Sequence, residues 1–215
     1  LWTKMIAIYP FCCGSEAAHK INLKTPGTYN LTFNSTWNHT PSNGAWATGI
    51  NAYAATGITA STAMTSLSKH IAIAVRIYDF ASANGALGGA SGNGWNDKFQ
   101  YFSGFYCDLS SSQVDIPGVT SSGSTSAFWI MSRTSATSLQ LYENTSNIGT
   151  YSTDITASNG NPNVEYYLAA INNGGSVQAA TSIDLSFASF GTGLDATNIS
   201  NLNTAYSTYK TALGR

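Results

Sequence analysis

Short hydrophobic runs separated by polar, turn-forming residues repeat along most of this chain. The runs are rich in β-branched and aromatic residues, and clusters of Gly, Asn, Ser and Thr separate them, which is typical of strands joined by turns. Their spacing predicts an all-β sandwich in a single domain. The predicted strands are residues 30–34, 50–55, 70–79, 98–108, 126–133, 138–142, 149–152, 164–171 and 183–190.

Two of these runs indicate how the strands are buried. Ile or Val occupies every second position from 71 to 77, so one face of this predicted strand is entirely apolar. Residues 127–131 are apolar on both faces, which favours a central strand covered on each side and places Trp129 in the core. Residues 172–175 (NNGG) and 143–147 (ENTSN) predict two hairpins, because Asn and Gly tolerate the positive φ angles of tight turns.

Helices are predicted only at the two ends of the chain. Asp195 can cap a helix over about 195–213, whose apolar residues recur at spacings of three and four, and Gly214 ends it. Residues 1–9 show a similar rhythm, but no capping residue precedes Leu1. We therefore expect residues 1–215 to form one domain, the C-terminal fragment of a longer chain. The Gly-rich stretch 82–94 is predicted to be a long loop inside it.

Charge is scarce in this sequence. Charged residues make up 9% of the chain, and nine Lys and Arg against ten Asp and Glu give a net charge of −1. Such sparse, singly placed cations do not form the basic surface that a nucleic-acid backbone requires. No apolar run approaches the roughly 20 residues of a membrane span. Nucleic-acid and membrane roles are therefore excluded from the prediction.

The candidate catalytic and metal-binding residues lack the usual patterns. The acidic residues are isolated, whereas glycoside hydrolysis needs a facing pair of carboxylates. No G-x-S-x-G motif and no His pair with zinc spacing occurs, so each His is predicted to be a polar surface or strand-end residue. Cys12, Cys13 and Cys107 are predicted to be reduced, buried thiols. A calcium ion held by the oxygens of residues 93–97 is an alternative to a plain polar turn there.

Carbohydrate binding is the remaining candidate function. An aromatic face packs on the apolar side of a sugar ring, and neighbouring amides and hydroxyls bind its hydroxyl groups. Three Trp residues lie in polar, Asn-rich surroundings that would suit such a site; the alternative is that Trp37 and Trp95 fasten loops to the sandwich. The candidate glycan-binding residues are Trp37, His39, Trp46, Trp95, Asn96 and Asp97.

Several sequence strings resemble one known family. Residues 1–5 (LWTKM), 7–10 (AIYP) and 19–24 (HKINLK), with the closing strings 187–195 (FASFGTGLD) and 211–215 (TALGR), resemble a concanavalin-like, laminin-G-like domain of tailed-phage structural proteins. The resemblance implies a jelly-roll β-sandwich of two antiparallel sheets. It also implies display on a virion, in tail, fibre or another surface-exposed protein.

The expected function follows from the low charge, the missing catalytic patterns and the family resemblance. We expect a non-enzymatic virion domain, made in the bacterial host cytoplasm and exposed on the virion surface, for assembly, decoration or attachment to a host-surface glycan. Its expected partners are other virion proteins, bacterial surface glycan and further copies of itself, for example in a trimer. No cofactor is expected beyond the calcium alternative. The competing hypothesis is a carbohydrate-active enzyme, a glycan hydrolase or lyase, on the same fold.

Overall fold

The computed structural model describes residues 1–49, 51–78, 86–90, 96–101, 105–111, 127–152 and 161–215. Its strands are β1 (Met5–Tyr9), β2 (Thr32–Asn34), β3 (Trp37–Thr40), β4 (Gly44–Ala47), β5 (Tyr53–Thr59), β6 (Lys69–Tyr78), β7 (Ala86–Ala90), β8 (Asn96–Tyr101), β9 (Phe105–Ser111), β10 (Ala127–Ser135), β11 (Ser138–Glu143), β12 (Ser146–Tyr151), β13 (Glu165–Leu168), β14 (Ile171–Asn173), β15 (Ser176–Gln178) and β16 (Ile183–Gly191). The helices are α1 (Glu16–His19), α2 (Ala60–Ala63) and α3 (Ala196–Ala212), and a 3₁₀ turn spans Trp2–Lys4.

The described strands form two sheets, which confirms the predicted β-sandwich. The first sheet has the order β12-β11-β10-β6-β16-β4-β3, and β1 also pairs with β16. The second sheet has the order β15-β14-β7-β13-β5-β2, with β8 on β7 and β9 on β8. The pairing is antiparallel except between β14 and β7, which run parallel. This pair corrects the expectation that both sheets are purely antiparallel.

The main core lies between the sheets and follows from the alternation in β6 and β10. Ile71, Ile73 and Val75 of β6 face inward, as the sequence predicts, beside Trp129 and Met131 of β10. Trp129 is only 3% exposed, which confirms its place in the core. Strand β10 lies between β6 and β11, so the prediction of a central strand is also confirmed.

The outer face of the first sheet is covered by α3. Asp195 caps the helix by accepting a hydrogen bond of 2.8 Å from the backbone N–H of Asn198, which confirms the predicted start. Ile199 and Leu202 are the buried residues of α3, and burying each stabilises the fold by about 1.5–3 kcal/mol. This second cluster consists of Met5, Ile8, Ala72, Ala74, Phe128, Ile130, Tyr142, Phe187, Leu194, Ile199 and Leu202, with Tyr206 packed against it.

The short helix predicted at the N-terminal end is limited to the 3₁₀ turn Trp2–Lys4, and the helical rhythm of residues 1–9 does not continue as a helix. After the 3₁₀ turn, residues Met5–Tyr9 form β1, which pairs with β16 from Met5 opposite Gly191 to Tyr9 opposite Ala188. The apolar residues of this segment are divided between the two buried clusters, Ala7 and Tyr9 in one and Met5 and Ile8 in the other. Pairing with β16 therefore determines the conformation of this segment, although the spacing of its apolar residues favours a helix.

Three other boundaries differ from the predictions. The strand predicted over 98–108 is a hairpin of β8 and β9. The strand predicted over 164–171 divides into β13 and β14 around Ala169, whose φ is +66°. The loop predicted over 82–94 contains β7, where Gly88 has a φ of +135° and a Cβ would lie 2.2 Å from the carbonyl oxygen of Asp97. The hairpins predicted at 143–147 and 172–175 are confirmed as β11–β12 and β14–β15.

Candidate functional site

Three of the predicted glycan-binding residues lie on one hairpin, β3–β4, at the edge of the first sheet. Trp37 and His39 share one face of β3, while Trp46 of β4 lies opposite Asn38 in register and faces the other way. Gly44 lets β4 approach β16 closely, since a Cβ there would lie 2.1 Å from the carbonyl oxygen of Leu185. The hairpin therefore presents its two tryptophans on opposite faces of the sheet.

Trp37 has a structural role. Its indole Nε1–H donates to the carbonyl oxygen of Asn34 at 3.0 Å, and its ring packs edge-on against Phe33 with centroids 5.0 Å apart. Trp37 also packs against the core between the sheets. These contacts support the interpretation that Trp37 fastens its segment to the sandwich.

His39 forms a pair with His19 of α1. Their Nδ1 atoms are 2.9 Å apart, so the Nδ1–H of one imidazole donates a hydrogen bond to the unprotonated Nδ1 of the other. Burial, reinforced by the charges of His39 and Arg215, lowers the pKa of His19 to about 4, and burial also lowers the pKa of His39. His19 is fully buried at the end of α1, so the surface or strand-end prediction is wrong for it. His70 lies near the end of β6, as predicted, but its side chain is fully buried.

Asn96 and Asp97 lie in β8 of the second sheet and not in the predicted polar turn. The Asp97 carboxylate is fully buried; its Oδ2 accepts from the Lys69 ammonium at 2.8 Å and from the Tyr166 hydroxyl. Lys69 also donates to Asn161 Oδ1 at 2.6 Å. The glycan prediction at Asn96 and Asp97 is corrected accordingly, because Asn96 is itself 9% exposed and Asp97 pairs with a buried cation. The calcium alternative covers residues 93–97, of which 93–95 lie outside the described residues, and it stays a prediction. Trp95 lies outside the described residues.

Arg133 extends this buried cluster. It lies on β10 opposite Lys69 in register and is 0% exposed. Burial lowers the pKa of its guanidinium to about 10, while the charges of Asp97 and Asp108 raise it. This end of the space between the sheets therefore contains charged side chains that pack inside the fold.

The described residues also bear on the cysteines, on metal ligands and on membrane-spanning helices. Cys12 and Cys13 are free thiols with Sγ atoms 3.5 Å apart, and Cys13 is exposed, so burial is wrong for that residue. The described residues include no group of three His, Cys, Asp or Glu side chains that could hold a metal ion. They also include no helix with the length and apolar character of a membrane span.

Trp46 occupies a different environment from Trp37. Its indole is partly exposed, and among the described residues it belongs to neither buried cluster. Asn38, its partner in register on β3, is exposed, and Asp184 is its partner on β16. Beyond Asp184, on β6, lies Arg76, whose Nε is 3.9 Å from Asp184 Oδ2. We call Asn38, Trp46, Asp184 and Arg76 the Trp46 surface.

A polar pocket of about 260 Å³ adjoins this surface between the first sheet and the end of α3. We call it the basic pocket, because three of its five lining residues are cationic. Ser186 Oγ donates to the carbonyl oxygen of Ala74 at 3.1 Å and accepts from the Tyr206 hydroxyl at 2.8 Å. The lining residues are Arg76, Ser186, Tyr206, Lys210 and Arg215.

The basic pocket has no signal in the amino-acid sequence. Its cations stand on β6, at the last turn of α3 and beyond the end of that helix, so they are far apart in the sequence. Each is an isolated basic residue among neutral neighbours. Only the packing of α3 across the sheet brings them together, and no local pattern in the sequence indicates that packing angle.

The comparisons with known proteins bear on the fold. No family model matches the sequence, and no curated protein is significantly similar to it. Domain 4 of AbnA, an extracellular GH43 arabinanase from Geobacillus stearothermophilus solved with arabinotriose, aligns over 93% of this chain and 98% of its own, with a TM-score of 0.63 and 13% identity.

Two further solved structures are much longer than this chain. The binding domain of botulinum neurotoxin DC, in complex with rat synaptotagmin II, aligns over 95% of this chain and 52% of its own (TM-score 0.67, 13% identity). Trypanosoma rangeli sialidase in complex with sialic acid aligns over 96% of this chain and 34% of its own (TM-score 0.65, 9% identity). These similarities establish the β-sandwich fold of this chain.

Proposed function

We propose that this chain is a non-catalytic glycan-binding domain and that the Trp46 surface is its binding site. The observation that supports this most is the partly exposed Trp46 indole, which lies outside the buried clusters and beside polar neighbours. An aromatic face beside the exposed Asn38 amide provides both components of sugar recognition, a stacking surface and hydrogen-bonding groups. A similar fold has been solved with arabinotriose bound, which is consistent with the proposal.

The proposed setting is the surface of a phage virion. It rests on the sequence resemblance, and it gives the domain a role in attachment to a bacterial surface glycan or in virion assembly as a homo-oligomer. Light scattering of the purified chain measures its oligomeric state, and antibodies raised against it test display on particles. We expect light scattering to give a trimer and the antibodies to label intact virions. Virions that the antibodies do not label would contradict this setting.

The chain offers a matched pair of tryptophans for testing the binding site. Trp46→Ala should weaken binding to bacterial surface polysaccharide or arabinan oligosaccharides about tenfold, which corresponds to losing one stacking contact of about 1.4 kcal/mol. Trp2→Ala is the control, because Trp2 is 53% exposed, lies on the 3₁₀ turn and is not part of the Trp46 surface. Isothermal titration calorimetry measures both affinities, and circular dichroism verifies that both variants fold.

Two results would contradict this proposal. Equal affinities of Trp46→Ala and the unaltered chain would show that the sugar binds elsewhere. New reducing ends after incubation with the polysaccharide would favour the enzyme hypothesis, a glycan hydrolase or lyase, over a binding domain.

A further inference from the structure

The basic pocket concentrates charge that is rare in this chain. Arg76, Lys210 and Arg215 are three of the nine Lys and Arg residues, and they meet in a space of about 260 Å³. Asp184 offsets part of this charge, but its Oδ2 is 3.9 Å from Arg76 Nε, beyond hydrogen-bond distance. Three basic side chains against one acidic side chain make the side-chain charge of this region positive, in a chain whose net charge is −1.

Two guanidinium nitrogens of residues that line the pocket lack acceptors. Arg76 Nε and Arg215 Nη1 are both buried and have no hydrogen-bond partner among the described residues. A buried N–H group without an acceptor costs about 1–3 kcal/mol, and more when the group is charged, so native structures rarely retain one without a reason. Neither the Ser186 nor the Tyr206 hydroxyl accepts from these two nitrogens, because neither nitrogen has a hydrogen-bond partner among the described residues.

The pocket is also held in shape by the rest of the fold. Arg215 Nη2 donates to the carbonyl oxygens of Phe11 at 2.8 Å and Pro41 at 2.6 Å, and its Nε donates to Pro41 at 3.0 Å. These bonds fix the guanidinium plane and leave Nη1 as the remaining donor. A guanidinium fixed in this way binds an oxyanion without losing further side-chain freedom.

We propose that the basic pocket binds the oxyanion of an acidic sugar, a carboxylate or a sulfate, whose ring stacks on Trp46. This inference rests on the proposed function for its sugar component. Trp46 lies two strands from Arg76 on the same outer face, a separation of about 10 Å, which is the scale of one to two sugar units. The proposed ligands are therefore anionic glycans rather than glycans in general.

The test uses oligogalacturonate, a sulfated galactan oligosaccharide and a neutral galactan oligosaccharide as probes, with affinity measured by calorimetry. The unaltered chain should bind at least one acidic probe about tenfold more tightly than the neutral one, and rising salt should weaken this preference. Arg76→Gln and Lys210→Gln should each reduce the preference about fivefold or more. Lys20→Gln is the control, because Lys20 is exposed and lies outside the pocket.

The outcomes separate this inference from the proposed function. Equal affinity for the three probes, with binding that still depends on Trp46, overturns the anionic preference and leaves the glycan proposal in place. Loss of acidic-probe binding in Arg76→Gln without any effect of Trp46→Ala supports the anion pocket and contradicts the Trp46 site. Comparing the two acidic probes then distinguishes carboxylate from sulfate.

Discussion

Strand β6 has a cation near each end, and the two differ in every respect that matters for function. Lys69 is 1% exposed, faces the space between the sheets and donates to Asp97 at 2.8 Å and Asn161 at 2.6 Å. Arg76 is 35% exposed, faces outward and is 3.9 Å from the 14% exposed Asp184. Lys69 and Arg76 are seven positions apart, an odd number, so they point in opposite directions, because side chains alternate along a strand.

The difference indicates how charge is used in a weakly charged sandwich. The Lys69 ammonium is enclosed and hydrogen-bonded, so its ion pair belongs to the packing of the two sheets. The Arg76 guanidinium is oriented by the fold but retains a buried Nε without a hydrogen-bond acceptor among the described residues. A complete buried pair affects stability, whereas an incomplete pair beside a pocket affects ligand binding.

The largest expected effect is at Asp97. Asp97→Asn should lower the free energy of unfolding by about 3–5 kcal/mol, because it leaves the Lys69 ammonium buried without its countercharge. Urea denaturation followed by circular dichroism measures the change. Lys69→Met combined with Asp97→Leu should recover part of the loss, since the Lys69 ammonium is then no longer buried without its countercharge, although Arg133 loses the Asp97 charge. A cost below 1 kcal/mol for Asp97→Asn would place this pair in the same class as Arg76 and Asp184.

An intermediate effect is expected from acid, through His70, the neighbour of Lys69 on β6. Burial lowers the pKa of this fully buried imidazole to about 4; Lys4 acts in the same direction, and the bond to the Thr192 carbonyl oxygen opposes the shift. Between pH 6.5 and pH 4 the unfolded chain therefore binds more protons, so stability decreases as the pH falls through that range. His70 alone should contribute about 2–3 kcal/mol of this loss by pH 4.5.

The histidine contribution can be isolated by comparing two proteins. The free energy of unfolding of the unaltered chain and of His70→Gln should be measured at pH 7 and pH 4.5. The variant should be less stable at pH 7 but lose less stability on acidification. An unchanged pH dependence would assign the acid sensitivity to other groups, among them the buried His19.

The smallest effect on stability is expected at Asp184. Asp184→Asn should change the free energy of unfolding by less than about 1 kcal/mol, because its ion pair is long and partly exposed. The same substitution should increase the affinity of the basic pocket for an acidic oligosaccharide several-fold, since it removes the competing carboxylate. Calorimetry of Asp184→Asn against the unaltered chain measures this gain. A weaker affinity would mean that Asp184 contacts the sugar directly.

The sequence predicted the parts of the fold that depend on local pattern. The alternation in β6, the doubly apolar β10 and the Asp195 cap correspond to observed elements. It did not predict β1, whose helical rhythm gives way to pairing with β16, a strand almost the whole chain away. The strand β7 was hidden by its glycines, which the close approach of β8 requires at Gly88.

The candidate site was less predictable because it depends on which face each residue occupies. Trp37 and Trp46 have similar surroundings in the sequence, yet the register of one hairpin places them on opposite faces. Asp97 follows a polar, Gly-rich stretch that indicates a turn, but its buried partner Lys69 belongs to another strand. Long-range pairings of this kind leave no local signal in a single sequence.

The position of β16 has a consequence for how the domain assembles during synthesis. This strand is the last one described, yet it lies inside the first sheet, where it pairs with β6, β4 and β1. Until the ribosome has released residues 183–191, the edges of those three strands remain open and exposed to other chains. The nascent protein therefore completes its first sheet only after residues 183–191 have been synthesised, and contacts this distant in sequence favour slow folding.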